Sequence, residues 1–249
     1  MAPAPHPSLL RSALSSILAA GLMTGVVGAL LTYRFGLDAA YLGKALVLFG
    51  AGAAVALAGL SKHHPFAAFG AANQVTVVRA ALVALLAGLI GERTAAGLPA
   101  LVVAAAVMIA VLDGADGWMA RRQHMVSDFG ARFDMETDAA FIMVLAALAW
   151  QFDRCGAWVL VSGMLRYVFV GAGTVVSWLR QPLPPSTRRK SVAVVQVIAL
   201  ILTLAPFVPA TVAPTIAAAG LCGLTVSFLV DVVWLWQHAA RSRASVSPQ

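Results

Sequence analysis

Residues 113–138 read DGADGWMARRQHMVSDFGARFDMETD, and they set acids beside stretches that only a bilayer or a core can hold. The approach to Asp113 is LPALVVAAAVMIAVL and the exit from Asp138 is AAFIMVLAALAW, so both flanks are apolar. Such flanks read as membrane-buried helices, where an ionisable group is costly and is by default a functional one. Asp113, Asp116, Gly117, Ala120 and Arg121 fall at helical positions i, i+3, i+4, i+7 and i+8 and share one face. Gly130, Asp134 and Asp138 recur at every fourth position and share another. Two such helices can bring four carboxylates together.

Four unpartnered carboxylates repel one another, so keeping them charged requires compensating cations. A metal does this best, and an all-oxygen cluster favours a hard ion, Mg²⁺ or Mn²⁺, bound through a few carboxylates together with substrate phosphates. Asp113, Asp116, Asp134 and Asp138 therefore point to phosphate chemistry. They suit two ions about 3.5–4 Å apart that stabilise the attacking and leaving oxygens together.

The spacing D-x-x-D-G-x-x-A-R, eight residues, then G-x-x-x-D-x-x-x-D resembles the signature of the CDP-alcohol phosphatidyltransferases, and every fixed position is matched. The resemblance implies an integral membrane enzyme that moves a phosphatidyl group from CDP-diacylglycerol to an alcohol and releases CMP. It makes Asp113, Asp116 and Asp134 metal ligands, and Asp138 a ligand or the base that deprotonates the acceptor hydroxyl. Gly117 and Ala120 would leave room for the nucleotide and Arg121 would face its diphosphate, with Gly130 in the same nucleotide site. Asn73, Thr76 and Arg79, which recur every three residues at the start of an apolar helix, resemble the N-x-x-T-x-x-R opening of the family's first core helix, beside the nucleotide. Family precedent also implies a homodimer.

Composition agrees with a chain that lives in the bilayer. Of its residues 61% are hydrophobic and 11% charged, which excludes an ordinary soluble protein. Cys155 and Cys222 are too few and too far apart for a disulfide framework or a thiolate metal site. The formal charge of +7 accompanies no nucleic-acid motif, so the basic residues are expected to set topology and to attract anionic headgroups.

Taken in order, residues 1–12 are a Pro-rich tail and 13–60 hold two accessory spans, about 13–32 and 40–60. A cleaved signal peptide is the rival for the first span, but its apolar region would normally be shorter. Residues 61–72, with Phe66 and Phe69 beside Lys62, His63 and His64, are expected in the headgroup region. Residues 73–237 read as a six-helix core of the family kind, and 238–249 as a disordered tail. The fold expected is thus an all-α polytopic bundle of about eight spans. His124, in the polar connection after Arg121, reads as a solvated loop histidine, and Glu136 points away from the stripe of Asp134 and Asp138.

Arg166 falls near the middle of a span and must pair or face a polar cavity. By resemblance to the family's glycerophosphate-transferring members it belongs to the acceptor pocket. Arg188, Arg189 and Lys190 lie in a Pro-rich basic loop and suit a phosphate-bearing acceptor, because guanidinium donors grip phosphate in bidentate fashion. Ser186, Lys190 and Gln196 resemble the family's S-x-x-G-K followed by Q, with Arg189 in place of the Gly. Glycerol 3-phosphate is the first candidate acceptor.

With the N-terminus in the cytoplasm, 12 Lys and Arg fall on that side, four fall outside and Arg166 lies within the membrane. That bias puts the Asp cluster at the cytoplasmic face, as in a bacterial inner membrane. Two alternatives share parts of the pattern: a CDP-aminoalcohol phosphotransferase acting on diacylglycerol, and a divalent-cation transporter. Gly117 and Ala120 beside Arg121 favour a nucleotide over a bare ion.

Overall fold

The structure, a computed structural model, describes residues 7–63, 66, 68–93, 95–122 and 127–244, the side chains of 61–63, 115–122 and 240–244 excepted. Among the described residues it is all-helical: α1 (Pro7–Phe35), α2 (Ala39–His63), α3 (Ala71–Gly88), α4 (Leu98–Arg122), α5 (Asp128–Gln151), α6 (Val161–Val175), α7 (Thr187–Leu204) and α8 (Ala213–Ala244). Short 3-10 turns at Ala157–Leu160 and Ser177–Arg180 flank α6. Helices are what a bilayer allows, because each backbone donor and acceptor must be satisfied within the segment. Five stretches are long and apolar enough to cross a membrane: Pro7–Phe35, Ala39–Leu60, Ala71–Gly88, Ala157–Val175 and Ala213–Ala239. Leu98–Gly114 is a shorter apolar helix. The protein is an all-α polytopic membrane protein, and the eight α-helices of the described residues agree in number with the expectation of about eight spans.

Helix extends beyond the expected apolar spans at both ends of the described chain. Helix α1 is already formed at Pro7, the first described residue, which falls inside the expected tail. Helix α8 continues to Ala244 through residues expected to be disordered, because Ala and Arg are strong helix formers. Phe69 is 1% exposed and packs against Phe129 with ring centroids 6.1 Å apart.

The chain divides into two compact units, Met1–Val144 and Leu145–Gln249, with the division inside α5. In the first, α1 and α2 pack on each other and on α3, and α3 packs on α4. The approach of α2 to α3 is close at Gly88, where a Cβ would lie 2.9 Å from the Tyr41 ring and 3.2 Å from Ala45. Small residues let membrane helices meet in this way. The Tyr41 hydroxyl donates to the Leu85 carbonyl at 3.2 Å. At one end Glu92 ties three segments together: it pairs with Lys44 at 2.6 Å and accepts from the Asp38 backbone N–H at 2.9 Å.

In the second unit α7 and α8 pack along each other. Arg154, expected in an outside loop, donates to the carbonyls of Thr203 (2.8 Å), Ala205 (3.2 Å) and Val208 (2.6 Å). A cation there satisfies the end of α7, where carbonyls lack partners and the helix dipole is negative. Cys155 and Cys222 are both free thiols.

Candidate active site

Helix α3 carries the first part of the site. Asn73, Thr76 and Arg79 are all buried, so the polar stripe of this apolar helix is turned into the protein. The Asn73 amide donates to the Phe69 carbonyl at 2.5 Å, and the Thr76 hydroxyl donates to the Ala72 carbonyl at 3.1 Å. Those local bonds satisfy polar groups that would otherwise be expensive to bury.

Helix α5 carries the second part, and its start is fixed by a cap. Ser127 accepts on its hydroxyl from the Gly130 backbone N–H at 3.0 Å, the bond that a serine before the first helical residue makes to the third. Gly130 sits against α3. A Cβ there would lie 2.9 Å from Asn73 Oδ1 and 3.3 Å from Ser127 Oγ, so a larger residue would have to displace both side chains. From the cap, α5 delivers Asp134 and Asp138 one turn apart on one face, as the spacing of four predicts. Glu136 is exposed, on a different face.

Helix α4 supplies Asp113. One ligand oxygen from each of Asp113, Asp134 and Asp138 lies within 4.8 Å of the others, and all three side chains are half-buried. Asp116, Gly117, Ala120 and Arg121 belong to the backbone of the same helix. Their side chains lie outside the described residues, as does the whole of His124.

At the centre of the three carboxylates is Arg79, with 1% of its side chain exposed. Its Nη1 donates to Asp134 at 2.6 Å, and its Nη2 is 2.6 Å from Asp113 and also bonded to Asp138. The sequence reading sets Arg79 beside a nucleotide and looks to metal for the compensating charge. The structure shows that the chain itself contributes one such charge. The signal was present, since Arg79 lies well inside an apolar run, but only the packing of α3 against α4 and α5 reveals its partners.

Among the described residues three carboxylates gather around one guanidinium, so acids outnumber the cation between them. Carboxylate oxygens gathered within 4.8 Å of one another around a single cation fit a hard divalent ion. Among the described residues the donor set is carboxylate oxygen alone, which suits a hard ion better than a soft one.

Two of the basic residues expected at the acceptor have partners within the second unit. Arg188 donates to Ser227 (carbonyl at 2.7 Å, hydroxyl at 2.6 Å) and to Asp231 at 2.5 Å. Arg189 is 3.3 Å from the same carboxylate and donates to the Pro184 carbonyl. Both guanidinium groups thus fasten the start of α7 to α8. Sequence reasoning missed this use of Asp231 and Ser227, which lie one helical turn apart on α8. Lys190 is exposed, and Arg166 is half-buried in α6.

A family model described as CDP-alcohol phosphatidyltransferase matches residues 69–232. No curated protein and no solved structure matches the chain.

Proposed function

This chain belongs to the CDP-alcohol phosphatidyltransferase family, and on that premise we propose that it moves the phosphatidyl group of CDP-diacylglycerol to a polar alcohol, with glycerol 3-phosphate the first candidate. The family consists of membrane phosphotransferases of phospholipid biosynthesis that act on CDP-alcohols, and to that extent the activity follows from membership. The finer reading rests on the convergence of Asp113, Asp134 and Asp138 in a membrane-embedded helical unit.

In this reading Asp113, Asp116, Asp134 and Asp138 hold Mg²⁺ or Mn²⁺, two ions in all. The ions would supply positive charge to the donor diphosphate and to the oxygens that attack and leave. Asp138 takes the proton of the acceptor hydroxyl. That oxygen forms a bond to the phosphatidyl phosphorus, the bridging P–O bond breaks, and its electron pair leaves with CMP. Atoms and charge balance without an oxidant or a further co-reactant.

Asn73, Thr76 and Gly130 form the wall against which the nucleotide is proposed to lie. Gly117 and Ala120 leave it room, and Arg121 faces the diphosphate. For the acceptor, Arg166 and Lys190 carry the proposal through their charge. Arg188 and Arg189 enter it by releasing Asp231 or by presenting the donors that Asp231 does not take. The catalytic face is proposed to be cytoplasmic and the enzyme to work as a homodimer, the first from the Lys and Arg bias and the second from family precedent.

The test is CMP release by the purified protein in lipid nanodiscs, with CDP-diacylglycerol and, in separate reactions, glycerol 3-phosphate, inositol phosphate, inositol or serine. Release with glycerol 3-phosphate that needs Mg²⁺ or Mn²⁺ and stops in excess chelator is expected. A preference for serine or free inositol would overturn the acceptor and leave the reaction class standing. Release only from a CDP-aminoalcohol with diacylglycerol would replace the donor, and full turnover in chelator would overturn the metal role.

A further inference from the structure

Arg79 is buried among the acids that the proposed ions need. It donates to Asp113, Asp134 and Asp138, the same three carboxylates whose oxygens converge. A guanidinium has donors only, no lone pair for a metal, and stays protonated, so it can only compete with an ion and cannot join it as a ligand. A divalent ion brought within a few ångströms of a fixed unit positive charge is repelled strongly in a site of low dielectric. Yet carboxylates packed this closely without a cation between them would drive one another apart.

We propose that Arg79 is the site's resident cation: it keeps the three carboxylates gathered while no divalent ion is bound, and gives up part of those bonds when ions enter. The released donors then face whatever lies beside the carboxylates, which for this enzyme is the diphosphate of the donor. This rests on the reading of the acids as an ion site. It assigns Arg79 a positioning role, and makes ion binding an exchange of one cation for another.

Mn²⁺ binding can be followed by electron paramagnetic resonance on the purified protein without nucleotide, in the wild type, Arg79→Gln and Arg79→Lys, together with each protein's melting temperature with and without Mn²⁺. Removing the competing charge should tighten Mn²⁺ binding in Arg79→Gln on the order of tenfold or more. The same variant should melt lower than the wild type without ions and gain more from Mn²⁺. Arg79→Lys keeps the charge but loses the two-armed grip, so its affinity should fall between the other two, and it decides the matter if Arg79→Gln does not fold.

Mn²⁺ affinity that is unchanged or weaker in the folded variants would overturn the proposal, because Arg79 would then be supporting the ligands instead of replacing the ion. Absence of Mn²⁺ binding in all three proteins would overturn the ion-site reading itself.

Discussion

Asp138 shows how a single residue's surroundings select its work. It shares Arg79 Nη2 with Asp113 and lies one turn beyond Asp134, so its carboxylate is both close to the other acids and held in one orientation. Replacing it with Asn keeps the shape and removes the base. If Asp138 accepts the hydroxyl proton, Asp138→Asn should lower kcat by about 10²–10⁴-fold while CDP-diacylglycerol still binds. Loss of donor binding with no separate rate defect would make it chiefly a ligand. Gly130 is constrained from the other side, by the 2.9 Å between its would-be Cβ and Asn73 Oδ1. Gly130→Ala should therefore lower the melting temperature, and Asn73→Ala in the same chain should recover part of the loss. Residues in contact couple in this manner. Simple addition of the two single effects would show that no clash exists.

Among the elements, the pair α1 and α2 lies outside the family match but not outside the site's support. Leu9 and Ala13 of α1, Leu60 of α2, and Phe69 and Phe129 belong to one buried cluster, with Leu57 and Phe133 packed against it. A Cβ on Gly59 would be 3.8 Å from the Phe129 ring, so the end of α2 touches the residue just before Gly130. Phe129 and Phe133 stack at 5.9 Å, and Phe133 directly precedes Asp134. The first two helices thus form the seat on which the start of α5 rests. Leu60→Ala should cost about 2–5 kcal/mol of stability, as buried leucines do, and should lower turnover with it. Val55→Ala, at a position 73% exposed on the same helix, should change neither. Equal behaviour of the two variants in melting and in turnover would separate the pair from the site.

For the molecule as a whole, the orientation proposed rests on the distribution of charge, 12 Lys and Arg to four. In a chain with Cys155 and Cys222 replaced by Ser, an impermeant maleimide applied to intact cells should label Ala96→Cys, between α3 and α4, and not Ser8→Cys, at the start of α1. The reverse pattern would turn the protein over. The amino-acid order was enough to establish the helices and their approximate number, and to single out acids of which Asp113, Asp134 and Asp138 converge, because apolar length and a spacing of three or four are local properties written in consecutive residues. It was also enough for family membership, carried by fixed spacings within residues 113–138. The reach of α1 and α8 beyond their apolar runs was less legible, since helix propensity continues past the residues that a bilayer selects. What only the tertiary structure decided was which charge answers which. Arg79 lies 34 residues before Asp113 and more before Asp134, and Arg188 finds Asp231 across 43 positions. An ion pair depends on distances of a few ångströms between helices, and nothing in the spacing along one helix determines which residue a neighbouring helix presents to it.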